Sequence, residues 1–188
     1  MTPPKSNMFI KGRIERSIEL SNNEVELLVS VKQETGAAKF EEVSIACSIE
    51  KKMWSSFNAD NSGYDLVEIS GVLETDSSFS IRVRVTQITV YNDMLYDYKG
   101  GQCEYNGPVK IFGVYTYNQD NFHRIKLTCR SKSKPCYFRV FALRKHADTW
   151  NGKEGDSVCI KAKFMPNEKG DFFSLREFSP LSVPEGSR

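Results

Sequence analysis

Residues 42–73 read EVSIACSIEKKMWSSFNADNSGYDLVEISGVL, and residues 137–164 read YFRVFALRKHADTWNGKEGDSVCIKAKF. In both stretches an alternating apolar strand pattern is followed by a polar segment that contains a tryptophan, Trp54 or Trp150, and then by a second strand pattern. The polar segments predict a short helix or loop in each case. The chain therefore carries one arrangement twice.

The alternation continues outward from these two stretches. Each half of the chain has five segments that are rich in β-branched and aromatic residues with a period of two. A polar segment follows the third strand in both halves. The predicted strands are residues 9–20, 25–31, 43–49, 66–73 and 79–90 in the first half, and 109–117, 122–129, 137–143, 157–164 and 172–178 in the second; the polar segments are residues 50–63 and 144–155.

Five strands with an interruption after the third are typical of the OB-fold, a small Greek-key barrel. Gly12 and Gly113 each lie in the middle of a first strand, where a glycine predicts a bulge or a sharp bend. The predicted fold is all-β, with two tandem OB-fold-like five-stranded barrels, each with a short helix or loop between strands three and four. A single larger all-β domain is the alternative.

The predicted barrels differ in charge. Residues 1–100 hold 11 Lys and Arg against 15 Asp and Glu, whereas residues 101–188 hold 15 against 9. Such asymmetry indicates a half that faces nucleic acid. The predicted domains are residues 1–92, an acidic barrel; 93–108, a linker with Gly-Gly and Asn-Gly-Pro turn signals; 109–180, a basic barrel; and 181–188, a short tail.

The composition, 39% hydrophobic and 27% charged, is that of an ordinary globular protein. No apolar run reaches the roughly 18–20 residues that cross a bilayer, and the start MTPPKSN lacks the apolar segment of a secretory signal. We therefore expect a cytoplasmic or nuclear protein that is not secreted and does not contact a membrane.

The five cysteines are an odd number, and three of them lie in apolar strand patterns, which argues against a disulfide framework. Cys129 and Cys136 have no second pair of Cys or His residues at zinc-ligand spacing nearby. We expect buried thiols, and neither a metal nor a cofactor.

The second half places basic and aromatic residues on one predicted strand face. Between Lys110 and Lys145 there are nine Lys and Arg and a single acid, Asp120. Oligonucleotides lie on the face of strands two and three in OB-folds, where cations track phosphates and aromatic rings stack on bases. The candidate nucleic-acid-binding residues are Lys110, Tyr115, Tyr117, Phe122, Arg124, Lys126, Arg130, Lys132, Lys134, Tyr137, Arg139 and Phe141.

A solvated basic face with ordinary cross-strand packing is the alternative for each of these residues taken singly. Trp150 is expected to cap the barrel rather than to bind a base. The corresponding face of the first half carries Glu24, Glu26 and Glu42, which would repel an anionic strand. We expect that barrel to bind a partner protein or a second copy of the chain.

The sequence contains no pattern that indicates catalysis. Walker-type, G-x-S-x-G and H-E-x-x-H motifs are absent, and the histidines, His123 and His146, fit a core position and a surface position. We expect a protein that is not an enzyme.

The stretch at 137–164 resembles the third-strand, helix and fourth-strand region of bacterial and phage single-stranded-DNA-binding proteins. Residues 42–54 and 65–73 resemble that region more weakly. The chain ends LSVPEGSR, without the acidic tail and terminal phenylalanine by which that family recruits other proteins, so partner recruitment is expected to differ. The resemblance rests on the aromatic strand and on Trp150, Lys153, Gly155, Asp156 and Val158.

The resemblance implies an OB-fold that binds single-stranded DNA in replication, recombination or repair. From the residues themselves we expect largely sequence-independent binding of single-stranded nucleic acid without a cofactor. Single-stranded RNA, and a structural or adaptor role in a larger nucleic-acid-processing assembly, stay open as alternatives.

Overall fold

The computed structural model describes residues 7–20, 23–36, 39–61, 65–76, 80–90, 100–119, 122–131, 136–142 and 149–180. Within the strands, the side chains of residues 35–36, 117–119, 122–125 and 131 lie outside the description.

Ten strands form, and each overlaps one predicted strand. Alternation of buried and outward residues runs along them, as expected for half-buried strands. The strands are β1 Met8–Glu19, β2 Glu24–Gly36, β3 Lys39–Glu50, β4 Leu66–Thr75, β5 Ile81–Val90, β6 Gln102–Gln119, β7 Phe122–Ser131, β8 Tyr137–Ala142, β9 Ser157–Met165 and β10 Phe172–Pro180.

The predicted interruption in the first half is a helix, α1 Lys51–Asp60. The rings of Trp54 and Phe57 stack at 5.8 Å between centroids, and the Phe57 side chain is buried against the sheet. The helix ends where the backbone and side-chain amides of Asn61 both donate to the carbonyl of Phe57. The corresponding segment of the second half includes residues 143–148, which lie outside the described residues.

The strand pairings close into two cycles. The order β1-β2-β3-β5-β4 returns to β1, and the order β6-β7-β8-β10-β9 returns to β6. In each cycle all pairings are antiparallel except the one between third and fifth strands, β3–β5 and β8–β10, which is parallel. The predicted all-β class with an OB-like five-stranded barrel is therefore confirmed. We call residues 7–90 the first half and residues 100–180 the second half.

The two cycles are joined into one continuous sheet of ten strands, because β6 also pairs with β1 from Met8↔Tyr105 to Lys11↔Gln102. Their buried residues form one contiguous core. Tyr105 lies at the junction, with its ring 5.0 Å from that of Phe138. The prediction of two tandem barrels is thus not confirmed in that form, and the ten strands belong to one domain.

The predicted linker, residues 93–108, also needs correction. Strand β6 begins at Gln102, so the Asn-Gly-Pro segment predicted to form a turn lies within a strand. Its residues 104–110 pair with β9, and this pairing outweighs the local turn preference. The other predicted domain boundaries stay predictions.

The two glycines predicted to mark bulges have different roles. At Gly113 the β6–β7 register shifts between Ile111 and Gly113, which confirms a bulge there. In the first half the bulge lies between Ile14 and Arg16. Gly12 instead allows a close approach of two strands, because a Cβ there would lie 2.4 Å from the Ser30 carbonyl oxygen.

Candidate nucleic-acid interface

The outer surface of β6, β7 and β8 is organised in three cross-strand rows. The first row is Lys110, Arg130 and Tyr137, and the last is Tyr115, Lys126 and Phe141. Because the two rows are four residues apart on β7, they are separated by about 13 Å. We call this surface the β6–β8 face; its residues are Lys110, Phe112, Gly113, Tyr115, Lys126, Thr128, Arg130, Tyr137, Arg139 and Phe141.

Alternation alone does not produce the face. Lys110 and Tyr115 are five positions apart, so in a regular strand they would point to opposite sides of the sheet. The bulge between Ile111 and Gly113 inserts one residue and brings both side chains to the outer side. The inserted residue, Phe112, is itself exposed.

One end of the face is a cluster of two aromatic rings and two cations. The Phe112 and Tyr137 rings meet edge to face at 5.1 Å, and 37% and 42% of the two residues are exposed. The Arg130 guanidinium lies 5.9 Å from the centroid of the first ring and 5.8 Å from that of the second. The Lys110 ammonium lies 5.7 Å from the Phe112 centroid. Cation–π attraction therefore orients both rings while their outer parts stay accessible.

The other end carries a more open ring. Tyr115 is 60% exposed, and the Lys126 ammonium lies 5.8 Å from its centroid. The ring lies over Gly113, where a Cβ would come within 3.1 Å of its Cε2 atom. Phe141 is half-buried and meets Phe172 of β10 edge to face at 4.8 Å. Tyr115 is thus the more accessible platform at this end.

The face is positively charged. It holds four cations and no acid among its residues, and within the described parts of the chain no ion pair neutralises Lys110, Lys126 or Arg130. Cations that are not paired with carboxylates can contact phosphates and release the counterions of a nucleic acid. The face therefore combines a cationic track with accessible rings.

The equivalent surface of the first half has the opposite character. Arg82 pairs with Glu26 at 3.2 Å, and the Ser30 hydroxyl donates to Glu42 at 2.5 Å. Arg13 pairs with Asp65 at 3.2 Å. Among the side chains that the structure describes on this surface, the large hydrophobic residue Ile18 is 41% exposed. Two of its arginines are thus paired with carboxylates, and it also carries an exposed Arg16 and a half-buried ring, Phe40, whose centroid lies 5.7 Å from the Lys32 ammonium.

Seven of the predicted site residues lie together on the β6–β8 face: Lys110, Tyr115, Lys126, Arg130, Tyr137, Arg139 and Phe141. The backbones of three more continue its strands, but their side chains lie outside the description: Tyr117, Phe122 and Arg124. Lys132 and Lys134 lie outside the described residues. The role of all twelve in binding stays a prediction.

Sequence reasoning missed Phe112. Phe112 lies two residues after Lys110, so regular strand alternation would place both side chains on the same side of the sheet. This was the available signal. In a regular strand Tyr115 and Tyr117 would point to the opposite side of the sheet from Lys110. The bulge shifts the alternation, so the strand positions after it face the same side as Lys110. Trp150 packs against the core with its ring 4.8 Å from Phe178, and its indole N–H donates to the Gly152 carbonyl.

The cysteines are mostly core residues. Four of the five are buried, and Cys159 is half-buried. Burial raises the pKa of Cys47 and of Cys129 to about 12, and burial is also the main cause that raises the pKa of Cys103. These three thiols stay protonated at neutral pH and are therefore poor nucleophiles and metal ligands.

Two absences hold for the described ranges of the chain. These ranges contain no group of three His, Cys, Asp or Glu side chains placed to hold a metal ion. They also contain no helix that is both long enough and apolar enough to cross a membrane.

The fold is similar to that of the single-stranded DNA binding protein from Thermus aquaticus. The superposition has a TM-score of 0.71 at 11% sequence identity and covers 100% of this chain and 98% of that one. A deletion mutant of the same Thermus protein gives a TM-score of 0.66 at 12% identity, covering 99% and 100%. No family model and no curated protein sequence matches the chain. At this identity the likeness establishes the fold alone.

Proposed function

We propose that the chain binds single-stranded DNA, largely independently of sequence, on the β6–β8 face. The observation that carries the proposal is the placement on one strand face of accessible aromatic rings together with Lys110, Lys126 and Arg130, which form no ion pair within the described part of the chain. The similarity of the fold to that of the single-stranded DNA binding protein from Thermus aquaticus supports this proposal.

The cations supply the affinity that depends on salt. Lys110, Lys126 and Arg130 would each neutralise a phosphate and release its condensed counterions. For single strands each such contact contributes about 0.7 to the slope of log affinity against log salt concentration. Three contacts therefore predict a slope of about 2 from this face.

The rings supply a preference for unpaired bases. Tyr115 and the Phe112–Tyr137 pair offer flat surfaces on which a base can stack once it is free of a duplex. Stacking contributes about 1–3 kcal/mol per base and tolerates every base, because each has a π-face. Binding is therefore expected to be weak for duplex and nearly uniform among sequences.

We propose a different role for the first half, namely contact with a partner protein or a second copy of the chain. Its outer surface pairs Arg13 and Arg82 with carboxylates and exposes Ile18, which suits a protein surface better than an anionic strand. We also propose that both halves arose as copies of one OB-type barrel. The two halves close through the same order of strand pairings and share the same register between first and second strands, which supports this origin.

The proposal extends to the biological setting. A sequence-tolerant binder would protect or present single strands during replication, recombination or repair, as a protein without catalytic activity in a reducing compartment. Single-stranded RNA is the second candidate ligand, since the rings and cations of this face do not distinguish DNA from RNA.

Fluorescence anisotropy with a labelled thymidine oligonucleotide of about 30 nucleotides tests the proposal. The comparison ligands are a duplex and a single-stranded RNA of matched length, each at several salt concentrations. We expect tighter binding of the single strand than of the duplex, with affinity that falls as salt rises. Tighter binding of RNA than of DNA would redirect the proposal to RNA. Absence of binding at low salt would favour the adaptor role.

A further inference from the structure

Arg139 lies on the β6–β8 face, but its guanidinium is directed at the connection between β9 and β10. The Nη2 atom donates to the Lys169 carbonyl at 3.0 Å and to the Asp171 carbonyl at 3.3 Å, and the Nε atom is buried. A guanidinium engaged with two main-chain carbonyls has fewer donors left for a phosphate than one that points to solvent.

The connection, residues 166–171, is a compact turn. The side-chain oxygen of Asn167 accepts from the Lys169 amide at 2.8 Å, and the Gly170 amide donates to the Asn167 carbonyl at 2.9 Å. Gly170 has a φ of 99°, which favours glycine. The turn leaves the Lys169 residue exposed. Its conformation therefore presents its one cation, Lys169, at a defined place, next to Glu168, which is also exposed.

The turn is also attached at its far end. The Asp171 carboxylate accepts from the backbone amide of Ile81, in the first half, at 2.9 Å. The next residue, Phe172, packs against Phe141 of the face. With Arg139 on one side and Ile81 on the other, the turn is held at the rim of the β6–β8 face.

We propose that Arg139 is a positioning residue that holds this turn beside the face, and that Lys169 is the residue of the turn that contacts a phosphate of the bound strand. This inference rests on the proposed function. It assigns a phosphate contact to an element outside the three strands, and it replaces the direct phosphate contact predicted for Arg139 by an indirect role.

Four variants separate the two roles of Arg139 in the anisotropy experiment: Arg139→Lys, Arg139→Ala, Lys169→Ala and the double variant with both alanines. We expect Lys169→Ala to weaken binding about 3- to 10-fold and to lower the salt slope by about 0.7. Arg139→Lys keeps the charge but lacks the Nη2 atom that donates to both carbonyls, so it is expected to weaken binding as much as Arg139→Ala. The double variant is expected to bind like Arg139→Ala alone, because the two residues act through one contact.

Lys52→Ala, which removes one exposed charge from α1, is the control and is expected to leave binding unchanged. Wild-type affinity for Arg139→Lys together with a loss for Arg139→Ala would overturn the inference, as would losses that multiply in the double variant or an unchanged affinity for Lys169→Ala. Thermal unfolding of each variant identifies any that misfold; should Arg139→Ala misfold, Arg139→Lys and Lys169→Ala decide. A wild-type chain that fails to bind the oligonucleotide refutes the proposed function itself, which is a distinct result.

Discussion

The first and second halves share one backbone arrangement and differ in what it displays. In β1–β2 the pairs Arg13↔Ser30 and Ile18↔Glu26 flank a bulge, and in β6–β7 the pairs Lys110↔Arg130 and Tyr115↔Lys126 flank a bulge at the same place. The third strand continues both rows, with Ser44 opposite Ser30 and Tyr137 opposite Arg130. The registers therefore match position by position.

The outward residues at these matched positions are chemically different. Where the second half has an aromatic ring or a cation, the first half has mostly a small, aliphatic or acidic side chain. The matched positions, first half before second, are Arg13 and Lys110, Glu15 and Phe112, Arg16 and Gly113, Ile18 and Tyr115, Glu26 and Lys126, Leu28 and Thr128, Ser30 and Arg130, Ser44 and Tyr137, Ala46 and Arg139, and Ser48 and Phe141.

The difference teaches that the barrel supplies positions and the side chains supply function. Inward residues are apolar in both halves, because both must fill one core. Outward residues are free of that constraint, so one surface can gather Lys110, Lys126 and Arg130 while its counterpart pairs Arg82 with Glu26. The account therefore predicts unequal responses when matched positions are changed.

Charge reversal is expected to have the largest effect. Lys126→Glu combined with Arg130→Glu should weaken binding of the oligonucleotide about 100-fold or more and lower the salt slope by about 1.4, since two phosphate contacts are lost. The control, Lys51→Glu combined with Lys52→Glu, makes the same change of net charge on α1 and should alter affinity little. Equal losses from both pairs would mean that net charge, and not the face, controls binding.

Removal of a stacking ring is expected to have the next largest effect. Tyr115→Ala and Tyr137→Ala should each weaken binding about 5- to 150-fold, which corresponds to about 1–3 kcal/mol per stacked base. Tyr137→Phe should bind like the wild type, because the ring remains. Ile18→Ala, at the position that matches Tyr115, should change nothing. A loss for Ile18→Ala as large as that for Tyr115→Ala would break the comparison.

Introducing one ring and one cation of the β6–β8 face at the matched positions of the first half should increase oligonucleotide affinity by a smaller factor. Ile18→Tyr with Glu26→Lys recreates the Tyr115 and Lys126 pair and frees Arg82 from its ion pair. In the charge-reversed variant it should restore about 5- to 10-fold in affinity, the low end of the range for one stacked base, because Glu24 and Glu42 still repel an anionic strand there. The same anisotropy titration measures the recovered affinity. No recovery would show that matched backbone positions are not sufficient to transfer binding to the first half.

A substitution at the bulge glycine, Gly113, is expected to have the smallest effect on oligonucleotide affinity. In Gly113→Ala the new Cβ would lie 3.1 Å from the Tyr115 Cε2 atom, so the ring must move by a few tenths of an ångström. Binding should weaken about two- to threefold, or about 0.5 kcal/mol. Arg16→Ala, at the matched bulge position of the first half, should leave affinity unchanged. Wild-type affinity of the Gly113→Ala variant would mean that the glycine at the bulge does not contribute to binding.

Much of the fold was predictable because strand alternation is a local signal. The ten strands and the outward direction of Tyr137, Arg139 and Phe141 follow from period-two patterns. The start of β6 was not predictable, because Gly101, Asn106 and Pro108 are turn residues and the pairing with β1 and β9 that overrides them is distant in sequence.

The candidate site was predictable in part for the same reason. Phe112 was not predicted because a bulge shifts the alternation of inward and outward side chains. Gly113 indicated where the bulge lies but not which side chains it would turn outward. The role of Arg139 escaped because its acceptors are main-chain carbonyls about 30 residues away. Main-chain acceptors exist at every residue, so the sequence does not mark them.

The most direct test of the central claim is photochemical cross-linking of the chain to a thymidine oligonucleotide, with the modified residues identified by mass spectrometry. Binding on the β6–β8 face predicts adducts at Phe112, Tyr115 and Tyr137, which disappear when excess unlabelled single strand is added and persist with duplex. Adducts concentrated on β1–β3 of the first half, with none on β6–β8, would contradict the account.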